Sequence, residues 1–264
     1  MNLQEITSKL PQTEADFDPC FAFSVHKCGS TMMHTMINSV CRETGIPGIS
    51  LPDTFFNMGL FEKDWQSDET LLPVFERKLL YYGFRNLPQI LLAPQFDLRS
   101  KRFVLLVRDP RDALVSQYFS FGRKKSSHRL PKNNAEAFIK RVEEQPELSI
   151  DDYVVQAANN LRIKLEVYRD SLNFDLGLTR RYEDVFFDKE TFLGEIFGHF
   201  GIGVPADVIA RVARDNDIRP EKEDDTKHIR KGMPGDHAEK LQPATIARLN
   251  DTFREVGAFY GYDL

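Results

Sequence analysis

The residues best suited to chemistry lie in a short loop near the start of the chain. Lys27-Cys28-Gly29-Ser30-Thr31 follows an apolar run and precedes a segment rich in Met and Ile. This order predicts a buried strand, a tight loop and a helix, so that backbone N–H groups and a lysine face an anion. The lysine precedes the glycine, unlike the Gly-Lys-Ser/Thr ending of nucleotide-triphosphatase loops. Taken alone, the pattern is equally typical of an ordinary turn with a solvated lysine.

A second set of anion-binding residues follows the clearest buried strand, Arg102–Val107. Arg108 comes directly after this strand, and Ser116 lies two turns into the next predicted helix. A guanidinium and a hydroxyl that converge from these positions would bind one phosphate, the arginine with two parallel hydrogen bonds. The alternative is a helix start in which Asp109 is the cap and Arg108 pairs with Asp112.

Two further segments combine basic side chains with glycines or an aromatic ring. His228–Asp236 contains Arg230, Lys231 and Gly232, a composition that is also typical of a solvated loop. Tyr182 stands at the end of a predicted strand, where its ring would face a nucleotide base or fill the core.

Length and composition restrict the class of protein. The 264 residues are enough for one sizeable domain, and we divide them into an N-terminal extension, residues 1–20, and a domain, residues 21–264. The net charge of -5 opposes general nucleic-acid binding, which needs a basic surface. Three cysteines without paired spacing indicate neither a disulfide framework nor a zinc site, so we expect no metal. Because we find no signal peptide and no apolar run of membrane-spanning length, we expect a cytoplasmic protein.

Hydrophobic patterns predict strands that alternate with helices. The predicted strands are residues 21–25, 90–92, 102–107 and 176–182, and the predicted helices are residues 31–43, about 71–83, the segment after Pro110, 150–165, 192–200 and 243–257. Residues 50–61 are predicted as a loop with aromatic side chains. This alternation predicts a single α/β domain in which helices flank a central parallel sheet. Ligands of such sheets bind beyond the carboxyl ends of the strands.

In this order, the four segments resemble the sulfotransferases that use 3′-phosphoadenosine 5′-phosphosulfate (PAPS). The loop at Lys27 is similar to that family's 5′-phosphosulfate loop, and Arg108–Asp112 with Ser116 is similar to its 3′-phosphate motif. Tyr182-Glu183-Asp184 matches the family's Tyr-Glu-Asp segment, whose tyrosine contacts the adenine side of the cofactor. Arg230-Lys231-Gly232, followed by a Gly-Asp pair, is similar to the element that closes on the 3′-phosphate.

The resemblance spans about residues 21–259 and implies a P-loop-like sulfotransferase fold. It also implies in-line transfer of a sulfuryl group from PAPS to a hydroxyl or amine of a small-molecule or carbohydrate acceptor, with 3′-phosphoadenosine 5′-phosphate (PAP) as product. Lys27 is then catalytic, because its charge offsets the negative charge that develops on the leaving phosphate. Cofactor contacts are expected from Lys27, Cys28, Gly29, Ser30, Thr31, Met32, Arg108, Ser116, Tyr182, Arg230, Lys231 and Gly232.

The acceptor side departs from the family pattern. Cytosolic members carry Lys-Thr-His-Leu-Pro, and the similar stretch Phe84–Pro88 has Asn86 at the position of the catalytic histidine. Cys28 replaces a serine, and Met32 replaces the tryptophan that stacks under adenine. Carbohydrate sulfotransferases often use a carboxylate shortly after the first helix, so we predict Asp53 as the base. An acidic cap in a Pro-Asp turn is the alternative for this residue.

Two other function classes stay open at this point. A nucleotide kinase-like phosphotransferase would share the fold and the phosphate cradle, although the order of lysine and glycine opposes it. A non-catalytic module that binds PAP or another nucleotide would account for the missing histidine. His34, on the helix of the first loop, is expected to be packed or exposed, and the sequence predicts no particular oligomeric state.

Overall fold

A parallel sheet of five strands lies at the centre of the part of the chain that the computed structural model describes, residues 15–122, 148–219, 222–223, 230 and 232–264. The strands are β1 (Cys20–Ser24), β2 (Gly48–Ile49), β3 (Leu80–Phe84), β4 (Arg102–Val107) and β5 (Gly177–Arg181). Their order across the sheet is β2-β3-β1-β4-β5, and every neighbouring pair is parallel.

Helices cover both faces of this sheet. They are α1 (Ser30–Thr44), α2 (Leu51–Asn57), α3 (Leu72–Phe75), α4 (Pro110–Phe121), α5 (Ile150–Ser171), α6 (Tyr182–Val185), α7 (Lys189–Phe200), α8 (Ala206–Asp215), α9 (Asp236–Lys240) and α10 (Pro243–Phe259). One core contains apolar residues of α2, α5 and α10, and the other contains those of α1, α7 and α8. The predicted fold class, a single α/β domain with a flanked parallel sheet, is therefore confirmed. No helix among the described residues has the length and apolar character needed to cross a membrane.

The central strand β1 is apolar throughout because both of its faces are covered. Phe21 and Phe23 enter one core, whereas Cys20 and Ala22 enter the other, and all four side chains are buried. Fully buried parallel strands have such continuous apolar sequences. β1 pairs with β4 up to the Ser24–Leu106 position. The loops that follow these two strands therefore leave the same edge of the sheet side by side.

The structure corrects the prediction for residues 71–92. Leu80–Phe84 forms strand β3, although the predicted helix extends to about residue 83. Helical spacing is real in the short helix α3, but the buried apolar run after it cannot be distinguished from a helix by periodicity. Gln89–Leu92, predicted as a strand, forms a 3₁₀ turn after Pro88. β3 already occupies the place in the sheet beside β1.

Residues 50–61 and 206–215 also differ from the prediction. The expected loop contains α2, whose N-terminus is capped by Ser50 Oγ as acceptor from Asp53 N at 3.2 Å. The Ser-x-x-Asp spacing before Phe55 was the available signal. Helix α8, Ala206–Asp215, has no counterpart in the sequence-based prediction. The remaining predicted helices and strands are confirmed, with some ends displaced. The division of the chain at residue 20 stays a proposal, and Phe17 packs against one of the cores.

Gly83 occupies a position in β3 that no larger residue fits. Its φ is +87°, and an added Cβ would lie 2.1 Å from Ser50 Oγ and 2.8 Å from His34 Nδ1. We therefore expect Gly83→Ala to lower the free energy of unfolding by about 2–4 kcal/mol, measured by urea denaturation. Gly194→Ala is the matched control in helix α7, where an added Cβ meets no atom within 4 Å. That control should gain about 1 kcal/mol, and equal effects of the two changes would contradict the packing argument.

Candidate active site

A cavity of about 1040 Å³ opens where β1, β3 and β4 end. Its walls come from the loops after these strands, from the segment around α2, and from helices α1, α4 and α5. Small-molecule pockets usually measure about 300–1,000 Å³, so this cavity has room for two ligands side by side. Its place at the carboxyl ends of parallel strands is the place that the fold predicts for a ligand.

The loop after β1 turns the start of helix α1 towards this cavity. Lys27 has a φ of 66° and Gly29 has a φ of 91°. Within the described part of the chain, no side chain caps α1, and its first turn contains no acidic residue. Gly29 has no substitute here, since a Cβ would lie 2.6 Å from Tyr182 Cδ2. Ser30 and Thr31 line the cavity. The helix N-terminus is therefore an open anion site.

Lys27 is a partly buried cation among other cations. Its Nζ donates a hydrogen bond to Ser120 Oγ at 2.7 Å. Burial and, to a smaller extent, the positive charges of Arg108 and Arg85 together lower the pKa of Lys27 to about 8. Positive charge therefore exceeds negative charge around this ammonium group, and a bound anion would relieve the imbalance.

Arg108 combines the two roles that the sequence left open. Its Nη2 lies 3.6 Å from Asp112 Oδ2, and Asp109 Oδ1 accepts a hydrogen bond from Arg111 N at 2.9 Å, as a helix cap does. Arg108 also lines the cavity, and its Cζ lies 4.5 Å from the centre of the Tyr182 ring. Its Nε is buried and has no partner among the described residues. A buried donor of this kind needs an acceptor, which a phosphate would supply.

The segment around Arg230 packs over helix α4. Tyr182 Oη donates a hydrogen bond to Gly232 O at 2.7 Å. The guanidinium of Arg230 lies 4.0 Å from the centre of the Phe119 ring, and it pairs with Asp236. The Tyr-Glu-Asp and Arg-Lys-Gly segments, far apart in the sequence, therefore meet at one wall of the cavity.

Asp112 connects this segment to Arg108. Its carboxylate accepts hydrogen bonds from Gly235 N at 2.6 Å, from His237 N at 2.9 Å and from His237 Nδ1 at 2.7 Å. Burial by itself would raise the pKa of Asp112, but the bonds from His237, the charge of Arg108 and the bond from Gly235 together lower the pKa to about 2. The ionised carboxylate therefore stabilises the packing of two segments that are far apart in the sequence.

Asp53 also lines the cavity and contacts two basic side chains. Asp53 Oδ2 lies 3.0 Å from His34 Nε2, and Asp53 Oδ1 lies 3.4 Å from Arg85 Nη1. Ser50, and not Asp53, caps α2. His34, which the sequence suggests is merely packed or exposed, forms part of the cavity wall together with Asp53.

Most of the residues expected to bind the cofactor lie on this cavity. They are Lys27, Gly29, Ser30, Thr31, Met32, Arg108, Ser116, Tyr182, Arg230 and Gly232. Cys28 is an exception: its side chain is 1% exposed and packs in the core, and its N–H donates to Val25 O at 3.0 Å. The structure therefore does not bring Cys28 into the cavity. Lys231 lies outside the described residues.

Several cavity residues were not expected from the sequence. Ser120 has a local signal, because it lies four residues after Ser116 and so on the same face of α4. Glu62 and Lys164 have no local sequence signal that predicts their place at the cavity, since they come from segments that only the fold brings together. No group of three or more His, Cys, Asp or Glu side chains among the described residues is arranged to hold a metal ion.

The bonds of Asp112 give a test of this arrangement. Asp112→Asn removes the charge and part of the accepting capacity, so we expect the free energy of unfolding to fall by about 2–3 kcal/mol in urea denaturation at neutral pH. In the wild type this stabilisation is complete above a pH of about 4 and is lost as the pH falls through about 2. The control is Asp184→Asn, which removes an exposed pair with Arg181 and should cost less than about 1 kcal/mol. Equal losses in both variants would contradict the role of Asp112.

Comparison with known proteins agrees with the observed fold. Among solved structures, mouse sulfotransferase SULT7A1 complexed with PAP has a TM-score of 0.54 at 20% identity, covering 96% of this chain and 88% of that chain. Retinol dehydratase in a complex with retinol and PAP has a TM-score of 0.50 at 17% identity, covering 93% and 82%. No curated protein sequence matches this chain. The sequence pattern of the Sulfotransferase domain family matches residues 18–260, and the chain therefore belongs to the sulfotransferase family.

Proposed function

We propose that this sulfotransferase transfers a sulfuryl group from PAPS to the hydroxyl of a small, largely apolar acceptor. The observation that carries the proposal is a cavity with two separate anion positions. One is the uncapped start of α1 beside Lys27. The other is Arg108, whose buried Nε has no partner among the described residues. Two such positions suit a nucleotide that carries phosphate groups at both its 5′ and 3′ ends.

The cavity residues fit the parts of this ligand. Backbone N–H groups of Gly29, Ser30 and Thr31 would bind the 5′-phosphate, because they lie at a helix N-terminus. Arg108 and Ser116 would bind the 3′-phosphate. Arg230 would contact that same phosphate, and Tyr182 and Met32 would contact the adenine side. Lys231, outside the described residues, stays a prediction from the sequence.

Lys27 has the catalytic role in this proposal. Sulfuryl transfer resembles phosphoryl transfer in that positioning and electrostatic stabilisation supply most of the catalysis. The acceptor oxygen forms a bond to sulfur while the bond from sulfur to the bridging phosphate oxygen breaks. The ammonium group of Lys27 would offset the negative charge that this oxygen gains.

Apolar rings support a small apolar acceptor over a sugar. The apolar side chains on the cavity wall, apart from those that contact Arg230 and Tyr182, include Phe56, Leu60, Phe61, Trp65 and Phe121. Pockets of this composition bind apolar molecules and orient them with a few polar groups. Phenols and apolar alcohols meet both requirements.

Asp53 stays a prediction as the base. Its ion pair with Arg85 supports a position near Lys27, since the charge of Arg85 acts on Lys27. Neighbouring positive charge also favours the ionised carboxylate and so makes it a weaker base.

We also propose a cytoplasmic location and catalysis without a metal ion. Cys20, Cys28 and Cys41 are free thiols, which supports a reducing compartment. Lys27 and Arg108 supply the positive charge that a metal ion would otherwise provide beside the phosphate groups.

Transfer of labelled sulfate from PAPS to phenol and 4-nitrophenol tests the proposed activity directly. Binding of PAP without transfer would favour a non-catalytic PAP-binding module. Selective binding of ATP would favour a kinase-like phosphotransferase, which the family membership and the order of lysine and glycine oppose.

Loss of the Lys27 charge should affect turnover more than binding. We expect Lys27→Met to lower kcat with 4-nitrophenol by about 100-fold or more, and to weaken PAP binding by less than about tenfold. Lys63→Met is the control, because Lys63 also lines the cavity but is exposed. It should change both quantities by less than about twofold. Near-normal turnover of Lys27→Met would refute the catalytic role.

The low pKa of Lys27 predicts a pH dependence of PAP affinity. The protonated ammonium attracts the phosphate, and its pKa is about 8 in the free protein. Affinity should therefore fall as the pH rises from about 7 to about 9.5, measured by titration calorimetry. The fall should not exceed the loss caused by Lys27→Met at neutral pH. An identical fall in wild type and Lys27→Met would assign the effect to another group.

A further inference from the structure

Asn86 and Glu62 form a hydrogen bond on the acceptor side of the cavity. Asn86 Nδ2 donates to Glu62 Oε2 at 2.6 Å, and both residues line the cavity. A carboxylate only accepts hydrogen bonds, so the amide nitrogen, and not the amide oxygen, must face it. Asn86 Oδ1 is buried and has no partner among the described residues. The bond to Glu62 therefore fixes the orientation of the Asn86 amide, and in this orientation the amide oxygen has no hydrogen-bond partner among the described residues.

Glu62 keeps one carboxylate oxygen available for a proton. Its Oε1 accepts no hydrogen bond, and no ion pair neutralises Glu62, within the described part of the chain. Asp53, by contrast, is paired with both His34 and Arg85. A general base needs a lone pair that faces the reacting group and a basicity that adjacent cations have not removed.

Two other titratable groups face Glu62 from helix α5. Lys164 lines the same cavity; burial lowers its pKa, and the charge of Glu62 opposes this shift. The hydroxyl of Tyr168 is buried without a hydrogen-bond partner among the described residues. Burial raises the pKa of Tyr168 well above its usual value, and Glu62 raises it further. Tyr168 is thus neutral, and Lys164 is the basic group that shares this side of the cavity with Glu62.

We propose that Glu62, rather than Asp53, is the general base of the proposed sulfuryl transfer, and that Asn86 is its positioning residue. Where the family pattern has histidine, this chain has Asn86, whose side-chain amide is hydrogen-bonded to the Glu62 carboxylate. The inference rests on the proposed function. Asp53 and His34 then hold Arg85 beside Lys27 instead of taking the proton.

The step is a single proton transfer coupled to the displacement. The proton of the acceptor O–H moves to Glu62 Oε1, and the oxygen lone pair forms the new bond to sulfur. The bond between sulfur and the bridging phosphate oxygen breaks, and its electron pair stays on PAP. Glu62 then releases its proton to water after the products leave.

Acceptors of different acidity distinguish a base from a structural residue. We expect Glu62→Gln to lower kcat with phenol by about 100-fold to 10,000-fold. The loss with 4-nitrophenol should be much smaller above neutral pH, because this acceptor is already largely ionised. Affinity for PAP should stay within about twofold. The control is Glu69→Gln, since Glu69 accepts an equivalent bond from Gln95 Nε2 at 2.8 Å on the exposed surface; its kcat should be unchanged.

Asn86→Ala tests the positioning role through the acidity of the acceptor. Removal of the bond leaves the Glu62 carboxylate without the partner that orients it, so kcat with phenol should fall more than kcat with 4-nitrophenol, while PAP affinity stays within about twofold. Equal losses with both acceptors would refute this role. In the Glu62→Gln background, Asn86→His should restore part of the phenol turnover, because it supplies a base at the neighbouring position.

The possible outcomes separate the inference from the proposed function. A wild-type protein that transfers sulfate to neither phenol would contradict the proposed function and the inference that rests on it. An active wild type with full phenol turnover in Glu62→Gln would overturn the inference alone. So would equal losses with both acceptors. An acidity-dependent loss in Asp53→Asn, without one in Glu62→Gln, would assign the base to Asp53.

Discussion

The balance between clustered cations and the buried carboxylates beside them organises this protein. Lys27, Arg108 and Arg230 converge at the carboxyl edge of the sheet, and such a cluster is unfavourable without anions. Asp112 supplies the permanent counter-charge. It is 1% exposed, and it accepts bonds from Gly235 and His237 while lying beside Arg108. Arg230 pairs with a second buried carboxylate, Asp236. Lys27 has no ion-pair partner among the described residues, and this is why a ligand with several negative charges suits the site.

The cofactor side could be predicted from the sequence because its signals are local. The loop at Lys27 and the turn at Arg108 each follow an apolar strand, and each precedes a helix within a few residues. Type, order and spacing of these residues are visible in a short window. The parallel sheet then needs no further information to bring the two loops together, because adjacent parallel strands end at the same edge.

The acceptor side could not be predicted in the same way. The sequence predicts a helix where β3 lies, because the residues of β3 are buried on both faces and follow a short true helix. The spacing of apolar residues alone does not distinguish the two structures here. The cavity wall formed by the residues after β3 therefore could not be predicted either. Glu62 meets Asn86 only through that strand, and Lys164 reaches the same place from α5. Contacts between distant segments carry no signature in either segment.

The close packing of Gly29 affects which ligands fit the cavity. Its α-carbon packs so closely on Tyr182 that no side chain could be inserted, and Tyr182 is in turn bonded to Gly232. The loop at Gly29, the ring of Tyr182 and the backbone at Gly232 are therefore held at fixed distances from one another. A ligand whose charged groups are spaced differently would contact the residues at one end of this arrangement and would not reach those at the other end. Selection among nucleotides then follows from distance as much as from charge.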